Sequence, residues 1–327
     1  MLAHGALLAA LAAATPPCIS ATSACTEWVV PGPGPGRSLV YRTYPLEARN
    51  EAVSRALIMV HGAGRDADNY FRTALAAAFL AGALEDTVVI SPRFASSAGG
   101  CRDTLAADEV SWPCGGNSWR SGGASEGGVT SYDLVDTLLR KLARKDVFPN
   151  LRSIVVAGHS AGGQYVTRYA MANQVHDALG VPVTYVVSNP SSYAYLDAGR
   201  PVADRPEFVP YGDSRNCTTY DRWPYGLQDR GGYAAKVSDE QLKKNLAARP
   251  VTYLLGELDT QPLAGFDSSC PAMAQGPSRL ARGQAYARYV KEKYGAQHKL
   301  VVVPLCGHNA RCMFTAEPAL PLAFPKP

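Results

Sequence analysis

Gly158-His159-Ser160-Ala161-Gly162 constrains this chain more than any other stretch. It follows an apolar run, Ser153-Ile154-Val155-Val156-Ala157, and leads into Gly163-Gln164-Tyr165-Val166, which suits a helix. A serine flanked by glycines at this spacing predicts a strand, a sharp turn and a helix. The turn holds the serine in a strained backbone conformation, so its flanks must be small. Ser160 Oγ then stands free at the carboxyl end of a central strand. The five-residue pattern is weak alone; the strand before it and the helix after it give it weight.

One α/β domain with insertions accounts for 327 residues without a second core. Net charge is +4, with Lys and Arg scattered along the chain. That is too mild and diffuse for a nucleic-acid partner.

Residues 1–26 contain no Asp, Glu, Lys or Arg. Leu7 to Ala14 is a short run of Leu and Ala broken by Pro16-Pro17, which suits an export signal and is too short to span a bilayer. The expectation is a signal peptide within residues 1–24, cleaved after Ala14 or after Ala24, followed by a single domain over 25–327 and no integral membrane segment in the mature chain. Cys25 after Thr22-Ser23-Ala24 gives a minor alternative, a lipid anchor at Cys25. Eight cysteines agree with a secreted or periplasmic setting. Local spacing pairs Cys101 with Cys114 and Cys306 with Cys312, leaving Cys217 and Cys270 as a long-range pair. Cys18 and Cys25 can pair if cleavage follows Ala14. No C-x₂-C or C-x₄-C spacing occurs, so no zinc site is expected.

Apolar runs rich in β-branched residues recur at 56–60, 87–91, 153–157, 183–188, 251–255 and 299–303, after an early strand from Leu39 to Tyr44. Several are apolar throughout, the mark of strands covered on both faces. In 131–145, Leu134, Leu138 and Leu142 form a helical stripe with Val135 and Leu139; Thr130 or Ser131 can cap it. In 277–294, Pro277 suits the first turn and Gly295 the stop. This alternation predicts a doubly wound, mostly parallel sheet with flanking helices. Residues 93–129 are rich in Gly and Ser. Residues 189–245 are long and aromatic and are read as a loop-rich cap insertion over the site.

Three further motifs follow strands. His61-Gly62-Ala63-Gly64 follows Ala56 to Val60. Its small residues let backbone N–H groups of Ala63 or Gly64 approach a developing oxyanion, together with that of Ala161. Gly256-Glu257-Leu258-Asp259 follows Val251 to Leu255 and puts Asp259 where an orienting acid is needed, with Glu257 and Asp267 as competitors. Cys306-Gly307-His308-Asn309 follows Leu300 to Val303. Of six histidines, only His308 comes late, after a strand and in a loop.

The order Ser160, Asp259, His308 resembles that of the α/β-hydrolase family, and Ser160-Ala161-Gly162-Gly163 is similar to the S-A-G-G of many carboxylesterases. The likeness spans roughly residues 40–312. It implies a secreted serine esterase with Ser160 as nucleophile, His308 as base, Asp259 as orienting acid, and Ala63 or Gly64 with Ala161 as oxyanion donors. It implies a small-molecule or lipid-like ester substrate and no metal or organic cofactor. A peptidase, thioesterase or acyltransferase could use the same triad, and a non-catalytic binding module could use the same fold. The chain departs from the pattern in lacking a full HGGG and a long helix after the histidine. The aromatic insertion leads to the expectation of an apolar or aromatic acyl or alcohol group.

Overall fold

The computed structural model describes residues 16–115, 118–203, 205–263 and 265–326. The signal segment expected in the first fifteen residues lies outside these. The elements run β1 (Thr26–Val29), β2 (Ser38–Arg42), β3 (Arg55–Val60), α1 (Ala67–Leu80), β4 (Thr87–Pro92), α2 (Ser131–Leu142), β5 (Ser153–His159), α3 (Ala161–Ala172) and β6 (Val183–Ser188). They continue with β7 (Gly199–Pro201), β8 (Phe208–Pro210), α4 (Asp239–Ala248), β9 (Val251–Gly256), α5 (Cys270–Met273), α6 (Arg279–Tyr294), β10 (Lys299–Val303), α7 (Ala310–Thr315) and α8 (Leu320–Ala323).

Eight strands form one sheet in the order β1-β2-β4-β3-β5-β6-β9-β10. β2 pairs antiparallel with β1 and β4; every other pairing in this sheet is parallel. A parallel sheet needs cover on both faces. Alternate residues of β5 supply it: Ile154 and Val156 join the core under α2, α3 and α6, while Val155 and Ala157 join the core under α1, α7 and α8. The α2 stripe is buried along its length, and each of its leucines contributes about 1.5–3 kcal/mol.

Helix ends follow local chemistry. Thr130 Oγ1 accepts from the Asp133 N–H while Asp133 Oδ2 accepts from the Thr130 N–H, a reciprocal cap. α6 begins two residues after Pro277, with Ser278 Oγ accepting from the Ala281 N–H, and ends at Gly295 in the left-handed region. No helix among the described residues is long and apolar enough to cross a membrane.

Three strands are additional to the sequence reading: β1, at one edge of the sheet, and the short antiparallel pair β7 and β8 inside 189–245. β10 is the opposite edge, with Leu300 and Val302 exposed. The structure places four cysteine pairs at disulfide distance: Cys18–Cys25, Cys101–Cys114, Cys217–Cys270 and Cys306–Cys312. Cys25 is fully buried, with its sulfur at bonding distance from that of Cys18.

Candidate active site

The turn between β5 and α3 is as tight as its glycines imply. Ser160 sits at φ 59° and ψ −118°, a conformation that costs about 1–3 kcal/mol for a residue with a side chain. A Cβ on Gly158 would stand 2.4 Å from Gly162 O, one on Gly162 2.3 Å from Val60 O, and one on Gly163 2.4 Å from Ser188 O. All three neighbours are backbone and cannot yield. The strained serine is held by its own backbone, its N–H donating to Ser188 O at 2.9 Å and its carbonyl accepting from Gln164 N at 3.0 Å.

The structure brings Ser160, Asp259 and His308 together from three strand ends. His308 Nδ1 lies 2.8 Å from Asp259 Oδ2, and Nε2 lies 2.9 Å from Ser160 Oγ. A carboxylate only accepts, so Nδ1 carries the proton and Nε2 is free to accept from the serine hydroxyl. The competing acids are occupied elsewhere. Glu257 Oε2 accepts from the Leu305 N–H, and Asp267 accepts from the Tyr225 and Ser269 hydroxyls.

Side chains beyond those read from the sequence hold this geometry. Asn189, at φ 43°, donates from Nδ2 to Gly307 O at 3.2 Å and accepts on Oδ1 from the Gly256 N–H at 2.8 Å. It pins the acid and histidine loops to the end of β6. Asn309 caps α7 by accepting from the Cys312 N–H, and the Cys306–Cys312 bond closes the loop around His308. Arg279 is fully buried and donates to Asp259 Oδ1 at 3.4 Å and to Ser191 Oγ at 2.8 Å. His159 lies against His308, the rings tilted by 38° with centroids 4.5 Å apart, and meets the Tyr70 hydroxyl at its Nδ1. Burial holds His159 neutral, and the nearby His308 and Arg279 add to this.

The loop after β3 brings Ala63 and Gly64 to the Ser160 opening. Neither their N–H groups nor that of Ala161 donates a hydrogen bond among the described residues. His61 fixes the loop from beneath. Its Nε2 accepts from the Phe94 N–H at 3.0 Å, which leaves Nδ1–H to donate to Gly62 O at 2.9 Å. Burial pushes the His61 imidazole down to about 4. The unfolded chain therefore takes up a proton near pH 6.5 that the folded chain refuses. Stability is fully present above pH 6.5 and is lost as pH falls toward 4. His61 alone accounts for about 2 kcal/mol between pH 6.5 and 5. His159, His176 and His298, all lowered by burial, act in the same direction, and the buried Asp136, raised, acts against it. Urea midpoints are expected to fall between pH 7.5 and 5, with a smaller fall in His61→Gln; an equal fall in both would remove His61 from this account.

The opening at Ser160 measures about 420 Å³ and is bounded by the loop after β3, the start of α1, Gly265 and the start of α7. No described residue of 189–245 lines it. Several rings of that insertion pack inward instead. Tyr193 and Tyr195 are fully buried against Tyr286 and Tyr289 of α6, with centroids 4.4 and 4.5 Å apart. Tyr233 donates to the buried Asp136, which also accepts from Tyr169. These rings are core, whereas Trp223 and Tyr225 of the same insertion line a second cavity beside α3.

Solved structures with this fold include the poly(3-hydroxybutyrate) depolymerase LpqC from Bordetella parapertussis. It is 22% identical, with 89% of this chain and 84% of that one covered and a TM-score of 0.60. Poly(aspartic acid) hydrolase-1 from a Sphingomonas species is 23% identical, with 91% and 97% covered and a TM-score of 0.63. A search of curated proteins finds no match. The profile of the alpha/beta hydrolase family matches residues 57–323, most of the chain: the chain belongs to the α/β hydrolase family.

Proposed function

We propose that this protein is an extracytoplasmic serine hydrolase that cleaves carboxylic esters through an acyl-enzyme on Ser160. One observation carries the reading: a serine on a strained elbow, 2.9 Å from an imidazole whose other nitrogen is 2.8 Å from a buried carboxylate. His308 takes the Ser160 proton as Oγ attacks the carbonyl carbon. The oxyanion rests on the N–H of Ala161 and on that of Ala63 or Gly64. His308 returns the proton to the leaving alcohol. Water, deprotonated by the same imidazole, then releases the acid and restores the serine. Asp259 keeps the proton of His308 on Nδ1 throughout.

Ester hydrolysis is favoured over amide hydrolysis on family grounds, since the geometry at Ser160 serves both. The residues that line the opening leave Ser160 reachable from solvent, which supports soluble esters and polymer ends alike as substrates. Turnover of p-nitrophenyl acyl esters, with little turnover of aminoacyl anilides, is the expected result. Failure of a fluorophosphonate probe to label the protein would overturn the reading and favour a binding module.

The four cysteine pairs support export. The Cys18–Cys25 pair and the Cys18 N–H, which donates to Thr43 O at 2.7 Å, favour cleavage after Ala14 over cleavage after Ala24. Either way the mature chain is one domain, and 189–245 is an insertion into it rather than a second unit.

A further inference from the structure

A second cavity, of about 600 Å³, opens beside α3. It lies further along α3 than the Ser160 opening: Ser160, the N-cap of α3, lines that opening, while Gln164 and Arg168, one and two turns on, line the cavity. The segment after β9 gives Gly265 to the one and Asp267 and Ser269 to the other.

The cavity is lined by guanidinium groups. Arg168 is only 2% exposed, yet it has no carboxylate partner among the described residues. Its Nε donates to Pro224 O at 3.1 Å and its Nη2 to Ser192 Oγ at 3.1 Å; Nη1 makes no hydrogen bond among the described residues. Arg120, half-buried, also has no carboxylate partner among the described residues and donates there to Ser118 Oγ and Gln164 Oε1. Arg222 is paired with Asp229 outside. The cavity's own carboxylate, Asp267, is engaged by Tyr225 and Ser269. Burial, with the Arg120 charge adding to it, pushes the Arg168 guanidinium down to about 10.

A buried guanidinium without an ion-pair partner is costly, and the Asp267 charge on the same cavity wall offsets this only in part. Two facing one cavity make a binding site for an anion. Helical side chains lean toward the N-terminus, so the Arg168 head lies level with Gln164. Both reach Ser192 Oγ, which agrees. The head is therefore about one turn, roughly 5 Å along the axis, from Ser160.

We propose that Arg120 and Arg168 form a subsite for a carboxylate carried on the acyl side of the ester, a few methylenes from the scissile carbonyl. The substrate class is then a half-ester of a dicarboxylic acid, or an acidic chain presenting the same groups. This rests on the hydrolase reading of Ser160.

The test compares mono-p-nitrophenyl glutarate with p-nitrophenyl butyrate. The parent protein is expected to prefer the glutarate in kcat/KM. In Arg120→Met and Arg168→Met the ratio of the two kcat/KM values is expected to fall roughly 10- to 100-fold, the usual loss for a hydrogen bond to a charged group. Arg140→Met, on the exposed side of α2, is expected to leave the ratio unchanged. If Arg168→Met does not fold, Arg120→Met and Arg168→Lys carry the comparison. Turnover of butyrate with no preference for glutarate would overturn the subsite and leave the hydrolase standing. Preference for 4-acetoxybenzoate over glutarate would overturn the acyl-side placement. If neither ester turns over, the hydrolase reading fails, and calorimetric titration of glutarate into Ser160→Ala judges the subsite by itself. Saturable binding that Arg120→Met removes supports it; no binding overturns it.

Discussion

Ser160→Ala is expected to hydrolyse p-nitrophenyl esters roughly 10⁶-fold more slowly than the parent, the loss seen when a triad nucleophile is removed. The hydroxyl's one hydrogen bond among the described residues is to His308, so the fold has little to lose with it. The backbone tells the rest. At φ 59° alanine is strained as serine is, whereas glycine is not. Ser160→Gly is therefore expected to be as inactive as the alanine variant and to unfold at a higher temperature, by about 1 kcal/mol of stability. Activity lost in both variants with stability gained in one separates chemistry from folding. Activity of Ser160→Ala within tenfold of the parent would put the reaction elsewhere.

What the sequence made legible is local. The elbow lies within seven consecutive residues, Gly158 to Gln164, and each glycine there answers a backbone contact that any Cβ would violate. The inner parallel strands were legible because a strand covered on both faces must be apolar throughout. The same letters do not place β10: Leu300 and Val302 are as apolar as the inner strands, yet they stand exposed at an edge, since composition does not record which strand comes last. The aromatics of 189–245 are hard to sort for a related reason. A ring that covers a ligand and a ring wedged against α6 look alike in sequence. Among the three acids after β9, turn geometry decides, and Asp259 alone meets His308. Asn189 and Arg279 act through partners 118 and 20 residues away, beyond any local pattern. Arg279 did leave one signal. With Arg282 it puts two cations at the start of α6, against the helix dipole. Such a choice calls for a tertiary reason, which Asp259 and the carbonyls of Ser191 and Asp267 supply.

That ion pair makes Asp259→Asn the most informative second variant. An asparagine of the same shape can offer its amide N–H to His308 Nδ1. This drives the imidazole proton to Nε2, the nitrogen that must accept from Ser160, and rate is expected to fall by roughly 10⁴. Stability falls as well. Asp259 and Arg279 are both fully inaccessible, and the substitution leaves the guanidinium buried without its counter-charge, beside the Ser191 hydroxyl, the Phe266 ring and a neutral amide oxygen. A buried charge stripped of its partner costs about 3–5 kcal/mol. The two losses have different owners and can be parted. Adding Arg279→Met to Asp259→Asn removes the orphaned charge, so the unfolding midpoint is expected to return most of the way to that of the parent, while kcat stays low because the tautomer is still wrong. If rate and stability recover together in the double variant, then Asp259 serves only to neutralise Arg279, and the orientation of His308 must come from the loop held by Cys306, Cys312 and Asn189.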